Sequence, residues 1–468
     1  MKATILVGDV LKRLKDIPDG SVQTCVTSPP YWGLRDYGTA EWEGGDAFCD
    51  HKKPSRFDYA LNSGLGPTGV QDQASNAGSG SVTQYSSVCE KCGAQRIDNQ
   101  IGLEKTPQEF VKKIVSVFRE VRRVLRDDGT VWLNLGDSYT GSGKGGNPEA
   151  GKQATNKGSQ TVGVLYGKTG ERQREVAQTN VTRNYDAIPP KNLVGIPWRV
   201  AFALQDDGWI LRSEIIWSKP NPMPESVEDR PTKAHEQIFL LSKSPRYFYD
   251  HEAVKEDAAF PEMTHKSSRK SESQEEAYFG NAPTNLGRCG TLEGKRNKRS
   301  VWEVVTQPYP ESHFATFPEA LIEPCILAGT SEHGACPECG SPYKRIMQKT
   351  GWPDPENIED DQGRMKASGE IATDTQRRKE LSGAKHAAFK AANPDVLLGW
   401  EPTCKCVSDK PLKPCLVLDP FCGSGTAGVV ALRYHRDFVG CELNTEYASM
   451  SERRIGNEAP MFNEVEVI

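Results

Sequence analysis

Leu416-Val417-Leu418 reads as a buried strand, and it runs directly into Asp419-Pro420-Phe421-Cys422-Gly423-Ser424-Gly425-Thr426 and then into helix formers from Ala427 onward. A glycine turn between a strand and a helix lets the backbone approach a ligand closely, and it commits this part of the chain to an α/β sheet. The run is not the phosphate-cradling Gly-x-Gly-x-x-Gly, and it carries no Walker lysine. An acidic residue at the strand end, Asp419, suits a positively charged amino-acid moiety. The next predicted strand, Phe438-Val439-Gly440-Cys441, ends in Glu442, and a carboxylate at a second strand tip suits a ribose diol. The glycine turn alone is equally a structural turn in another kind of α/β enzyme. The full octapeptide followed by Glu442 is far more specific.

The remaining pattern agrees with an α/β chain. Residues 3–7 and 22–27 read as strands, the second stopped by Pro29-Pro30. Thr106-Pro107-Gln108-Glu109 opens a helix with a capping residue, a first-turn proline and a capping-box glutamate. Phe110, Ile114, Phe118, Val121 and Leu125 then recur at helical spacing. Asp128-Gly129 is expected to end that helix before a strand over 130–135. Residues 192–206 read as a helix, 209–218 and 235–242 as paired strands, and 316–328 as a short helix opened by a Thr316…Glu319 box. Four polar stretches interrupt this pattern, at about 38–100, 141–185, 251–300 and 331–410.

A net charge of −5 excludes a wholly basic coat for nucleic acid, so any nucleic-acid contact has to be a local patch. No apolar run reaches the roughly 18 residues of a membrane helix, and the N-terminus is too soon interrupted by charge to be a signal peptide. The expectation is a soluble cytoplasmic protein with no membrane partner. In a reducing compartment, 13 cysteines point to metal ligation or free thiols rather than disulfides.

Thr27-Ser28-Pro29-Pro30-Tyr31 follows a strand and opens a loop. Its prolines stiffen the backbone and remove two N–H donors, leaving carbonyl acceptors beside a hydroxyl and an aromatic face. That combination suits an exocyclic amino group, whose two hydrogens bond to Ser28 and a proline-region carbonyl while its ring stacks on Tyr31. A base in a duplex reaches such a pocket only when flipped out of the stack. A proline-rich turn with no ligand is the competing reading of this segment by itself.

Taken together, Ser28-Pro29-Pro30-Tyr31 and Asp419–Thr426 resemble the amino-methylating DNA methyltransferases of bacteria and phages. With the catalytic motif first and the cofactor motif last, the chain resembles the circularly permuted β group of that family. The likeness covers residues 3–37, 101–140, 190–250, 300–330 and 415–456. Gly8-Asp9 matches the family's segment at the cofactor's adenine. His313-Phe314-Ala315-Thr316-Phe317-Pro318 matches the segment that closes over the methionine end. Asn134-Leu135-Gly136-Asp137 and Trp217-Ser218-Lys219-Pro220 are also similar. The resemblance implies a Rossmann-like, S-adenosylmethionine-dependent methyltransferase sheet acting on double-stranded DNA. Its catalytic residues would be Ser28, Pro29, Pro30 and Tyr31. Asp9, Phe317, Asp419, Pro420, Phe421, Cys422, Gly423, Gly425, Thr426 and Glu442 would hold the cofactor. Serine at the head of the motif leans toward cytosine N4, with adenine N6 the alternative. A separate cognate restriction nuclease and a homodimer are compatible with this reading. No enzyme nucleophile is expected: Cys415 after Pro414 and Cys325 after Pro324 read as core cysteines.

Two polar insertions carry paired soft ligands. Residues 38–100 hold Cys49-x-His51 and Cys89-x-x-Cys92-Gly93, and residues 331–410 hold Cys336-x-x-Cys339-Gly340 and Cys404-x-Cys406. Each set supplies four donors for tetrahedral zinc, and a metal staple gives an otherwise polar segment a reason to fold. Free surface thiols are the bland alternative. The expected organisation is a catalytic half over 1–37 and 101–250, a target-recognition region with basic clusters over 251–300, and a cofactor half over 301–330 and 411–456. The rival from another class is an inactive, zinc-bearing DNA-binding protein.

Overall fold

The computed structural model describes residues 1–33, 39, 41–46, 48–49, 88–89, 91–97, 99–140, 188–189, 191–225, 227–257, 295–307, 316–348, 395–458 and 463–468. His51 and residues 313–315, named above, lie outside them, as do Lys266, Arg269 and Lys270 of the basic clusters in the expected target-recognition region.

Nine strands form one mixed sheet. In chain order they are β1 (Lys2–Val7), β2 (Val22–Thr27), β3 (Leu125–Leu135), β4 (Ile210–Ser218), β5 (His235–Ser242), β6 (Val301–Glu303), β7 (Leu416–Asp419), β8 (Asp437–Glu442) and β9 (Glu464–Val467). Their spatial order is β6-β4-β5-β3-β2-β7-β8-β1-β9. From β3 through β9 every neighbouring pair is parallel. β5 runs antiparallel to both β3 and β4, so its first residues lie at the same edge as the last residues of the parallel strands.

Among the described residues, the α-helices are α1 (Val10–Arg13), α2 (Pro107–Val124), α3 (Ile196–Asp206), α4 (Glu319–Gly329), α5 (Thr426–Arg433) and α6 (Thr445–Glu458). Alternate residues of the central strands feed two cores. Cys25, Val131, Leu133 and Leu418 pack with α2 and α3 on one face. Val26, Trp132 and Val417 pack with α4, α5 and α6 on the other. Burial on both faces is what a parallel sheet covered by helices requires.

The Thr106 cap and first-turn proline of α2 hold, because the Glu109 N–H donates to Thr106 Oγ1 at 3.1 Å and Pro107 opens the helix. Two local expectations fail. α2 ends at Val124 and Asp128-Gly129 lies inside β3. Gly129 backs onto Leu125 and the Gln23 carbonyl so closely that a Cβ there would sit 2.7 Å from Leu125 Cγ, so the glycine serves strand packing rather than a helix stop. α4 is entered through Pro318 with no side-chain cap, so the Thr316…Glu319 box does not form. The Glu319 carboxylate is drawn instead to Arg454 (2.7 Å) and Arg433 (2.8 Å). Among the described residues, no helix is long and apolar enough to cross a membrane.

Candidate active site

The sheet brings the two sequence motifs side by side. β2 and β7 are neighbours, with Thr24 opposite Val417 and Cys25 opposite Leu418. The loop beginning at Ser28 and the turn beginning at Pro420 therefore leave the same edge from adjacent strands. Thr27 Oγ1 seals the join by donating to Asp419 Oδ1 at 2.6 Å. In open α/β sheets this carboxyl-end edge is where ligands bind. A cavity of about 840 Å³ opens there, within the range of about 300–1,000 Å³ usual for small-molecule sites.

Asp9 after β1, Ser28-Pro29-Pro30-Tyr31 after β2, Phe317 before α4, Pro420–Gly423 and Thr426, and Glu442 at the end of β8 all line this cavity. Two of the expected cofactor residues do not face it. Gly425 caps α5 at φ 78° and packs against Ser451. Asp419 is buried and occupied by Thr27 and by the Phe421 N–H at 3.0 Å. Burial pushes its carboxyl up to about 7, and its visible role is to lock the turn to β2.

Glu442 is placed differently. Its Oε2 accepts the Gly423 N–H at 2.7 Å and its Oε1 the Asn444 N–H at 2.9 Å. Burial also pushes this carboxyl up to about 7. Gly423 has φ 54°, and a Cβ built there meets nothing closer than the Phe421 carbonyl at 3.9 Å, so the cavity comes right up to bare backbone. An acceptor at the wall beside bare backbone fits the sugar of a nucleoside cofactor. Arg454, which the sequence did not single out, supports the turn from behind by donating to Ser424 Oγ at 3.1 Å and Thr426 Oγ1 at 2.8 Å.

Beside Ser28, on the same cavity wall, Tyr31 Oη donates to Glu236 Oε2 at 2.7 Å and lies 3.0 Å from Asn134 Oδ1. Ser28 Oγ is 3.4 Å from Tyr31 Oη. The Lys219 ammonium pairs with the same Glu236 and lies 4.2 Å from the centre of the Trp217 ring. Glu236 is a further residue that sequence reasoning missed. It reaches the site because β5 is antiparallel, with Trp217 opposite Glu236 and Leu135 opposite Gln237. Gly136 lets the Tyr31 ring lie flat against β3's exit, and a Cβ there would stand 2.4 Å from Tyr31 Cε2. Gly136→Ala is expected to displace the ring and lower kcat by about 10²-fold, as misplacement on the ångström scale does. Cofactor affinity, read by calorimetry, should stay at the wild-type value.

Cys325 and Cys415 are both 1% exposed. Burial raises both thiols, that of Cys415 to about 11, which suits core cysteines and not nucleophiles. The cysteines of the insertions gather away from the cavity. The ligand atoms of Cys336, Cys339, Cys404 and Cys406 lie within 4.8 Å of one another, and so do those of Cys49, Cys89 and Cys92.

The model of the DNA methylase family of N6/N4 methyltransferases matches residues 22–336 and 407–453, which span both motifs and the sheet between them. The chain belongs to this family. It is 32% identical over 456 residues to the type II methyltransferase M.Cfr9I of Citrobacter freundii, covering 97% of this chain and 88% of that one. It is also 32% identical over 451 residues to the type II methyltransferase M.SmaI of Serratia marcescens, covering 96% and 90%. Among solved structures, PvuII DNA methyltransferase (cytosine-N4-specific) is similar at 14% identity and a TM-score of 0.42, covering 97% of this chain and 87% of that one. This protein is thus an S-adenosylmethionine-dependent DNA methyltransferase of the restriction–modification kind.

Proposed function

We propose that this methyltransferase transfers a methyl group to the exocyclic N4 of a cytosine flipped out of double-stranded DNA. The observation that carries the reading is that Ser28–Tyr31 and Pro420–Gly423 with Glu442 line one cavity. S-adenosylmethionine supplies a methyl group on a sulfonium, the electrophile for an amino nitrogen. Glu442, Gly423, Asp9 and Phe317 are the residues that would hold it. An amino nitrogen conjugated with its ring is a poor nucleophile. Ser28 Oγ, whose own proton points toward Tyr31, has lone pairs to accept one amino hydrogen, and the Pro29 carbonyl accepts the other. These bonds draw the nitrogen toward tetrahedral geometry, so catalysis rests on positioning and oriented dipoles. Once nitrogen gains carbon it must shed a proton. The line Ser28–Tyr31–Glu236 leads that proton to a carboxylate.

The order of motifs along the chain supports a circularly permuted sheet, with the catalytic half preceding the cofactor half. Two structural zinc ions belong to the same reading, one in each cysteine cluster. Of the basic residues assigned to target recognition, Arg296 and Arg299 are held by Glu256, at 2.8 and 2.6 Å. In keeping with the type II names of its relatives, we pair the enzyme with a separate nuclease of the same specificity.

The test is to incubate the protein with unmethylated duplex DNA and S-adenosylmethionine, digest to nucleosides and identify the product by mass spectrometry. N4-methylcytosine is expected. N6-methyladenine would overturn the base assignment while keeping the chemistry. Cofactor binding with no methylated base would instead favour a DNA-binding protein without turnover.

A further inference from the structure

We propose that Cys336, Cys339, Cys404 and Cys406 form a zinc latch pinning the 331–410 insertion to the amino-terminal edge of the catalytic sheet, an inference that rests on the structural-zinc reading above. Three observations carry it. The first is local geometry. The Cys336 N–H donates to the Ser341 carbonyl at 2.8 Å, and the Gly340 N–H to the Cys336 carbonyl at 2.9 Å, with Gly340 at φ 73°. The same pattern recurs at Cys89, whose N–H donates to the Ala94 carbonyl at 2.7 Å while the Gly93 N–H donates back at 2.9 Å, with Gly93 at φ 75°. Two unrelated stretches thus build one turn, a turn that aims both thiols of a Cys-x-x-Cys-Gly at a single point.

The second observation is sulfur spacing. Four thiolates at about 2.3 Å from a tetrahedral zinc ion stand about 3.8 Å apart, whereas a disulfide needs about 2.05 Å. The four sulfurs of this cluster lie within 4.8 Å of one another, and Cys49 and Cys89 of the other cluster are 3.8 Å apart. Four sulfurs with no nitrogen or oxygen donor favour a soft tetrahedral ion.

The third is attachment. The Gln23 side chain, 3% exposed, donates to the Gly340 carbonyl at 2.8 Å and accepts the Leu416 N–H at 2.6 Å. The Arg126 guanidinium bonds the Cys339 carbonyl and, at 2.9 Å, Ser341 Oγ. Ala335 and Lys413 exchange backbone bonds of 2.8 and 3.1 Å. The Cys336–Cys339 turn is thereby joined to the beginnings of β2, β3 and β7. Neither apolar core takes a residue from the described part of this insertion; its two halves meet through the antiparallel ladder of Tyr343–Gln348 with Val396–Pro402 and through the Thr403 hydroxyl, which donates to the Pro342 carbonyl at 2.7 Å, and the metal would close the open end of that hairpin by joining Cys336 and Cys339 to Cys404 and Cys406. Ser28 stands at the other end of β2, about 20 Å away at 3.3 Å per residue, which makes the latch structural and leaves catalysis to the opposite edge.

Metal content by plasma mass spectrometry should find zinc in the purified chain, with one equivalent per chain fewer in the Cys404→Ser/Cys406→Ser variant. Hydrogen exchange of that variant should show lost amide protection over Tyr343–Gln348 and Val396–Pro402, retained protection in β2 and β7, and wild-type cofactor affinity by calorimetry. Cys406→His, which keeps a zinc donor, should keep both metal and protection, and this separates ligand loss from misfolding. A wild-type chain without zinc, or with iron instead, overturns the metal reading and the latch together. Loss of zinc with protection unchanged overturns the latch alone.

Discussion

Ser28→Ala should slow methyl transfer by about 10²–10³-fold at saturating DNA and cofactor, the usual cost of losing one oriented hydrogen-bonding group at a reacting centre. Cofactor affinity should not change, because Ser28 leaves β2 whereas Glu442 ends β8, with β7 between them. Glu236→Gln should give a smaller fall, about tenfold, with an unchanged KM for DNA, because the amide keeps the contact with Tyr31 but cannot take a proton. A structural explanation competes here, since Lys219 would lose its anionic partner, and a charge left unpaired in a half-buried site destabilises. Glu236→Gln/Lys219→Met removes both charges. If unfolding temperature recovers in the double variant while kcat does not, Glu236 acts as the proton's destination and as a positioning group for Tyr31. If kcat recovers with stability, its role is only to hold Lys219.

The chemistry-bearing residues were legible where they are contiguous. Ser28–Tyr31 and Pro420–Thr426 each advertise a loop at a strand end, and Ser28–Tyr31 and Pro420–Ser424 line the same cavity. Their adjacency could not be read, because Thr27 and Asp419 are 392 residues apart and meet only through the β2–β7 pairing. Glu236 was invisible for a related reason. A lone glutamate near a strand start has no signature, and it gains a role only because β5 is antiparallel. Asp419 was read as a ligand for a positive charge because it sits at a strand tip. Burial and the Thr27 hydroxyl take up its carboxylate instead. Local propensity misled at Asp128-Gly129, where close packing against Leu125 keeps the chain extended, and at Thr316, where Arg433 and Arg454 claim the glutamate that a cap would have used.

Glu442→Gln should weaken cofactor binding by about 10- to 100-fold, the range for removing the charge from one partner of a hydrogen bond. The pH dependence gives the sharper test. Glu442 and Asp419 are both pushed up to about 7 by burial. A group whose folded pKa lies above its unfolded value contributes stability that is complete below the unfolded value and is lost as pH rises through the folded one. The cofactor-free enzyme should therefore lose stability from these two groups between about pH 4 and about pH 7. Cofactor affinity should move the opposite way. A ribose diol donates to a carboxylate most strongly when that carboxylate is ionised, so affinity should rise as pH passes upward through about 7. Asp419 does not face the cavity, and its titration should appear mainly in the unfolding temperature, reaching cofactor affinity only through its charge on Glu442. In Glu442→Gln the affinity should be flat between pH 6 and pH 8, and the stability loss should shrink to the part that Asp419 supplies. Calorimetric titration on either side of pH 7 separates the cases. A wild-type affinity that does not change with pH would remove Glu442 from the cofactor site and leave it only its bonds to Gly423 and Asn444, and the sugar's acceptor would have to be sought at Asp9.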